Sequence, residues 1–571
     1  MTEPVVTQPD RPAPNPAEEA PVRETAADRL SALDWLEIAQ GAADKFGSCR
    51  KPIAMWVVDE RTGERQPVGA ACGNTLESVC PACAKRKRAL RIAQCREGWH
   101  LDAEPVIVKP DPTDQQMDLV AARSSLQQDY QRAKEDGDTF TMDGIREIVR
   151  DLDAELRETG VRKRLPPLDA PPRKSSTRST RRRTDVPELP RLKVTNRTVG
   201  EVFAGKYRPS TFVTLTMPGY GAVHRDGAKN RKGEVCGDGS PIDPDHYDYR
   251  QAARDVVHFA ALFNRWVQNL RRAVGWKVQY FATVEPQRRG APHIHLLIRG
   301  AVPNEIIRQC TAATYLQVWW PPHDMQAYWH GRLPRWDYDA RTFVDPETGE
   351  RLLSWGQGRE IMDASDTPTH VARFGVQVKP KGILKGTPKA DAAIGYLAKY
   401  LTKSVGEILE PPNQRTADHY DRLHAELLRT PCSDSCPVWL LYGVVPKGAG
   451  PKTVPGRCGA NVHKRDCLGV AGNRQLVSKL WTGKTLKDHQ AERQEFVKQL
   501  LDGAGIEQED TSHLKVVLAE PGDPNVPPRH HLIMSLIAQQ SRWRNQLMEA
   551  RALLGESPPG DEPVKQLPEA A

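Results

Sequence analysis

The sequence of 571 residues has no apolar run long enough to cross a bilayer, which takes about 20 consecutive apolar residues. Its acidic, proline-rich start lacks the basic-then-apolar layout of a secretory signal. A cytoplasmic protein with no membrane partner is therefore expected. A disulfide framework is not expected, because the eleven cysteines of a cytosolic chain stay reduced or bind metal. No internal repeat is visible, which leaves out repeat architectures. Gly483-Lys484-Thr485 ends like a phosphate-binding loop, but Ser478 stands where that pattern needs glycine, so ATPase chemistry is set aside. A net charge of +8 is mild for this length and by itself names no partner.

The chain is too long for one hydrophobic core. Its 47 prolines crowd into stretches that read as linkers. Residues 1–29 and 556–571 read as disordered tails, and 30–110 as a cysteine-bearing module. Residues 111–195 combine a polar helical stretch, from about Gln115 to Arg164, with a basic tether holding Arg173, Lys174, Arg178 and Arg181 to Arg183. Such a run is usually a solvated linker, with phosphate contact the other reading. In the core, 196–410, TFVTLTM alternates, with Val213 and Leu215 on one parity and Thr214 and Thr216 on the other. YRQAARDVVHFAALFNRWVQNLRRAVG has helical period and a glycine stop at Gly275. WKVQYFATVE and HIHLLIRG read as a hairpin, NEIIRQCTAATYLQVWW as a further helix, and DAAIGYLAKYLTKS as a short closing helix. A second cysteine module (411–475) and a helical C-terminal region (476–555) follow. The expected fold class is α+β: an antiparallel sheet with flanking helices, plus two small zinc-binding modules.

The chemistry begins at His293-Ile294-His295. Residues two apart on a strand share a face, so both imidazoles reach one ion while Ile294 points into the core. A turn centred near Arg289 sets Glu285 opposite His293 on that face. Two histidines and a carboxylate make a three-ligand site with open positions, suited to Mg²⁺ or Mn²⁺ acting on phosphate oxygens. Arg288 and Arg289 in the turn are placed to hold flanking phosphates. About a hundred residues on, Tyr396, Lys399, Tyr400 and Lys403 fall within one arc of a helix of about 100°, opposite an apolar face of Ile394, Leu397 and Leu401. A phenol is a poor nucleophile at neutral pH, and nearby ammonium groups favour its phenolate. Together the two motifs describe attack of tyrosine on a metal-held DNA phosphate, giving a phosphotyrosine and a free 3′ hydroxyl.

TFVTLTM, PHIHLLIRG and GYLAKYLTKS occur in the order of the three motifs of HUH endonucleases. Tyr-x-x-Lys-Tyr looks like the two-tyrosine variety of the gene A proteins of small single-stranded DNA phages. PGYGAVHRDG, QYFATVEPQRRGAPHIHLLIRG, CPVWLLYGVVPK and LVSKLWTGKTL resemble the RepSA-type plasmid replication initiators of actinobacteria. The resemblance covers about Cys49 to Val497, whereas residues 110–195 and both tails look unlike the family. It implies rolling-circle initiation by nicking of plasmid origin DNA, single- and double-stranded, with a host helicase and replication machinery as partners. It also implies His293 and His295 as metal ligands and Tyr396 and Tyr400 as nucleophiles, Tyr396 being better placed for the first attack. Other readings are a conjugative relaxase acting at a transfer origin and a non-catalytic, zinc-containing DNA-binding regulator.

Cys80 and Cys83 form a Cys-x2-Cys knuckle for one zinc ion, with Cys72 close by and Cys49 or Cys95 as fourth ligand. The basic run Lys85 to Arg88 follows it and is a candidate DNA contact. Cys432 and Cys436, with Cys458, His463 and Cys467, make a second set. Family resemblance favours Cys49 in the first (through GSCRKPIAM) and the Cys458–His463 spacing in the second. Both are read as structural zinc sites. Cys236 and Cys310 are read as unpaired bystanders.

Overall fold

The computed structural model describes residues 34–99, 101, 103–105, 112–161, 165–169, 182–199, 209–229, 232–233, 237–384, 386–399, 401–506 and 510–555. Both tails, the tether's Arg173, Lys174, Arg178 and Arg181, Cys236 and Tyr400 lie outside the described residues. Among the described residues, no helix is long and apolar enough to cross a membrane.

The chain divides into two compact units, one drawn from residues up to 93, 398–404 and 486 onward, the other from 94–397 and 405–485. In the first unit, α1 (Trp35–Lys45) starts at Asp34, whose carboxylate accepts the Leu36 and Glu37 amides. Strands β1 (Ile53–Asp59) and β2 (Arg65–Ala70) form a hairpin, and α2 (Pro81–Trp99) begins at the Cys80 knuckle. Helices α3 (Asp114–Glu135) and α4 (Thr139–Glu158) make a hairpin in the second unit, closed by Tyr130, Ile145 and Val149.

The second unit is built on β3 (Pro209–Thr216), α5 (Tyr249–Val274), β4 (Tyr280–Pro286), β5 (Pro292–Ile298), α6 (Asn304–Ala313), β6 (Tyr315–Val318), β7 (His370–Arg373), β8 (Val378–Leu384), α7 (Pro388–Lys399), α8 (Gln414–Arg429) and β9 (Gln475–Val477). Its antiparallel sheet has the order β8-β3-β5-β4-β9. Strand period 2 gives this sheet two different faces. Val213, Leu215, Ala282, Val284, Ile294, Leu296 and Ile298 point one way and join Phe259, Leu262, Phe263 and Trp266 of α5 in a single apolar core. Helix α5 spans 26 residues, opened by the Asp248 carboxylate on the Gln251 amide and stopped by Gly275 in the left-handed region. The opposite parity carries Phe212, Thr214, Thr216, Thr283, Glu285, His293 and His295. That face carries most of the sheet's polar side chains, and α7 lies over it: Thr283 Oγ1 donates to the Leu397 carbonyl at 2.8 Å.

Three expectations change. The run read as one helix from Asn304 breaks after Ala313, and Tyr315–Val318 pairs with β7 as a strand. Thr314 takes extended backbone there and its hydroxyl caps the Cys310 carbonyl. Helix α7 ends at Lys399, so Lys403 lies beyond it and does not share its face. The C-terminal region is not purely helical: between α9 (Leu486–Gly503) and α10 (Arg529–Leu553), β10 (Leu514–Leu518) pairs with β1 and completes the three-stranded sheet of the first unit. Ile533 and Ile537 of α10 pack on Ala39 and Ala43 of α1.

Candidate active site and metal centres

The hairpin register puts Glu285 directly opposite His293, and Thr283 opposite His295. On the other side of β5, Thr214 lies opposite His295 and its Oγ1 is 2.8 Å from His295 Nδ1. That contact turns Nε2 of the ring toward the cluster. One ligand atom each from Glu285, His293 and His295 lies within 4.8 Å of the others, and Glu285 and His295 are buried. His293 Nε2 is 3.9 Å from Glu285 Oε2, while its buried Nδ1 has no hydrogen-bond partner among the described residues. Burial pushes His293 down to about 4, against the pull of the Glu285 backbone and with the help of the Arg289 charge, and pushes His295 down to about 3, aided by His293. Both rings are thus neutral at physiological pH, the form that can donate a lone pair to a cation.

Tyr396, on α7, brings its hydroxyl to 3.1 Å from His295 Nε2, with the two rings edge-to-face at 4.8 Å. Phe212 meets both rings, near 6 Å from His295 and Tyr396. Tyr396 is 40% exposed, so the phenol faces the buried donors on one side and solvent on the other. Lys399 closes α7 as an exposed residue.

Arg289 is occupied by the fold. Its guanidinium donates to the Pro218 carbonyl at 2.6 Å, the Met217 carbonyl at 2.8 Å and Gln287 Oε1 at 2.9 Å, and it lies over the Tyr220 ring. Arg288 donates to the Glu410 carbonyl at 3.3 Å and is half-buried. Three polar residues on the site face carried no assigned role from sequence. Thr214 was visible only as an off-core parity. Lys379 and Lys381, exposed on edge strand β8, pair with Thr214 and Phe212.

Cys49, Cys72, Cys80 and Cys83 converge within 4.8 Å, with Cys49 and Cys80 sulfurs 3.7 Å apart. Cys95 is buried elsewhere on α2 and takes no part. Cys83 sits in the first turn of α2, where the helix dipole favours a thiolate. Hydrogen bonds from Cys49 and from Arg86, 3.3 Å away, pull it down to about 4. Arg86 also donates to the Gly47 carbonyl and Arg88 to the Ala398 carbonyl, so half of the basic run after the knuckle serves the fold. In the second unit Cys432, Cys436, Cys458 and His463 form the other quartet, without Cys467. His463 donates from Nδ1 to the Leu427 carbonyl at 2.9 Å, leaving Nε2 toward Cys436 at 3.6 Å, the usual way a ligating ring is oriented. The hydrogen bond from Cys432 draws Cys436 down to about 4. Each quartet can hold one metal ion, and tetrahedral zinc is the ion such donor sets suit. Cys310 is buried, its sulfur near the Trp266 carbonyl.

The profile of the family described as RepSA, replication initiator protein, pSAM2, matches residues 35–539. The chain belongs to the RepSA family of replication initiator proteins. The match reaches beyond the Cys49–Val497 span at both ends and takes in all the site residues above. A replication initiator protein of Streptomyces ambofaciens is 26% identical over 249 residues, 38% of this chain and 49% of the relative. The aligned part thus spans about half the length of that curated relative. No solved structure matches.

Proposed function

We propose that this RepSA family member initiates plasmid rolling-circle replication as a metal-dependent nickase of the HUH type, cutting one strand of origin DNA through a 5′-phosphotyrosine. The observation that carries this reading is the Tyr396 hydroxyl, 3.1 Å from His295 Nε2 beside the Glu285–His293–His295 trio. The trio fits a divalent ion: two neutral imidazoles, one carboxylate, and a buried His293 Nδ1 with no hydrogen bond among the described residues. These residues would hold Mg²⁺ or Mn²⁺, which when bound supplies Lewis-acid polarisation of the scissile phosphate.

Thr214 fixes the His295 ring, and Phe212 confines the Tyr396 ring against it. The Tyr396 oxygen attacks phosphorus and the bond from phosphorus to the 3′ oxygen breaks. The proton lost by the phenol is regained by the departing 3′ oxygen. The 5′ end stays esterified to the protein, so a later attack by a 3′ hydroxyl reverses the exchange and reseals the strand. Tyr400 is the second nucleophile in this reading, cutting the regenerated origin while the first end is still held. The quartets hold structural zinc. Origin DNA, a host helicase and the replication machinery are the partners, in the cytoplasm.

Mass spectrometry of the adduct formed with an origin oligonucleotide and Mn²⁺ tests the reading. A DNA-modified peptide containing Tyr396 is expected, with no adduct from the Tyr396→Phe/Tyr400→Phe double variant. Nicked product without any covalent adduct would overturn the mechanism. Loss of the adduct in Tyr396→Phe, with normal replication by Tyr400→Phe, would reduce it to one nucleophile.

A further inference from the structure

Behind α5, on the side away from the sheet, the segment 182–195 crosses the helix and closes a cavity of about 350 Å³. The segment is fixed to its surroundings. The Leu192 amide donates to the Arg272 carbonyl at 2.9 Å, and the Thr195 amide to the Gly275 carbonyl at 3.0 Å. The Arg183 amide donates to the Tyr315 hydroxyl, and Asp185 is clasped between the Arg183 and Arg373 guanidiniums. Those two guanidiniums hold the Asp185 carboxyl well below the usual range.

The cavity is lined by four arginines, Arg182, Arg191, Arg265 and Arg272, with the amides of Gln268 and Asn269 among them. Arg265 and Arg272 are seven residues apart on α5, two turns or about 10 Å along its axis. Arg182 is paired with Glu188 at 3.2 Å. Among the described residues, no hydrogen bond or ion pair engages the guanidiniums of Arg191, Arg265 and Arg272. A helix C-terminus favours cations in its last turn, which accounts for Arg272 alone. Arg265 lies two turns earlier and Arg191 on the crossing segment, so helix electrostatics leaves both unexplained. Three unneutralised guanidiniums around one concavity repel one another and focus positive potential there. Guanidinium forks bind phosphate oxygens.

We propose that this cavity is a second DNA contact, gripping the phosphate backbone of duplex DNA without reading its sequence. The strand to be cut must reach Tyr396 on the polar face of the sheet. The arginines lie on the far side of α5, which covers the other face, so they meet duplex flanking the nick. The choice of DNA as ligand rests on the nickase reading, but the binding test needs no cleavage.

With the full chain and no divalent metal, affinity for a duplex of unrelated sequence is measured across a salt series. Arg265→Ala/Arg272→Ala should weaken binding roughly tenfold and lower the slope of log affinity against log salt by about 2. Both positions are exposed and helical, and alanine suits a helix, so the melting temperature should hold. Arg265→Lys/Arg272→Lys should restore most of the slope. Nicking of a short single-stranded oligonucleotide should stay within about twofold of wild type, because no site residue is touched. An unchanged duplex slope would overturn the proposal. So would a loss of inorganic triphosphate binding with duplex binding intact, which would mark a small-anion site. If the nickase reading fails and no adduct forms, the slope change is still measurable.

Discussion

The cysteine quartets and the Glu285–His293–His295 trio are all donor clusters, yet they are built for opposite ends. Each quartet brings four donors, mostly soft sulfur, which fill a tetrahedral ion and leave nothing for a substrate. The trio stops at three harder donors, and the next group in line is a phenol that is 40% exposed. Under the proposed function, the count of ligands separates holding from reacting. Backbone does the rest: a helix start and tight turns gather the sulfurs, whereas two paired strands set Glu285 in register with the imidazoles of β5.

The sharpest way to break that contrast is His295→Ala. Nicking should fall by on the order of 10³-fold or more, while zinc content stays at about two per chain. A nicking rate near wild type would remove the trio from the chemistry. Cys83→Ser should do the reverse in kind: zinc falls to about one per chain, with local unfolding of the first unit. Elemental analysis with a melting curve checks this, and chelator-free protein without zinc would refute the structural role of the quartets.

Thr214→Val sharpens the comparison inside the trio. It keeps shape and removes the oxygen that orients His295, so metal affinity should drop roughly 10- to 100-fold with the melting temperature little changed. Unaltered metal titration would make Thr214 an ordinary strand residue.

The smallest effect concerns the buried histidines outside the trio. Burial pushes His258 down to about 3, and His323 and His419 down to about 4. His419 shows the neutral form in its bonding, accepting the Tyr249 hydroxyl at Nδ1 and donating to the Arg289 carbonyl from Nε2. Unfolded, these rings titrate near 6.5. Between that value and the folded ones the unfolded chain binds more protons. Their contribution to stability is therefore full above about pH 6.5 and lost as pH falls, on the order of 1 kcal/mol per pH unit for each ring. Melting temperatures followed downward from neutral pH should decline, and a flat profile would contradict it.

The site was legible where its signals are local. Parity along 293–295 and the seven residues between Glu285 and His293 fix which side chains share a face, and the observed register agrees. Helix α5 was readable from its period and its Gly275 stop. What stayed hidden depends on distant partners. Gln475–Val477 joins the sheet beside β4, and nothing within its three residues announces that edge position. Tyr315–Val318 continues an apolar run that suits a helix equally well, and only pairing with residues 370–373 makes it a strand. The alternation of TFVTLTM exposed Thr214, but its role needed His295 on the neighbouring strand. Arg289 looked available for phosphate because it sits in the turn beside the trio. The carbonyls of Met217 and Pro218 that engage it come from a loop some seventy residues earlier in the sequence.

The pairing of β1 with β10 has a consequence for synthesis. Asp59 meets Leu514, so a ribosome must make more than four hundred residues after β1 before its second neighbour exists. At cellular elongation rates that is a wait on the order of tens of seconds. Throughout it, one edge of the β1–β2 hairpin stays open to pairing with another nascent chain, the situation in which edge strands aggregate. Protein yield should therefore depend on how quickly the last hundred codons are read, and chaperone supply should matter most for chains stalled before Leu514.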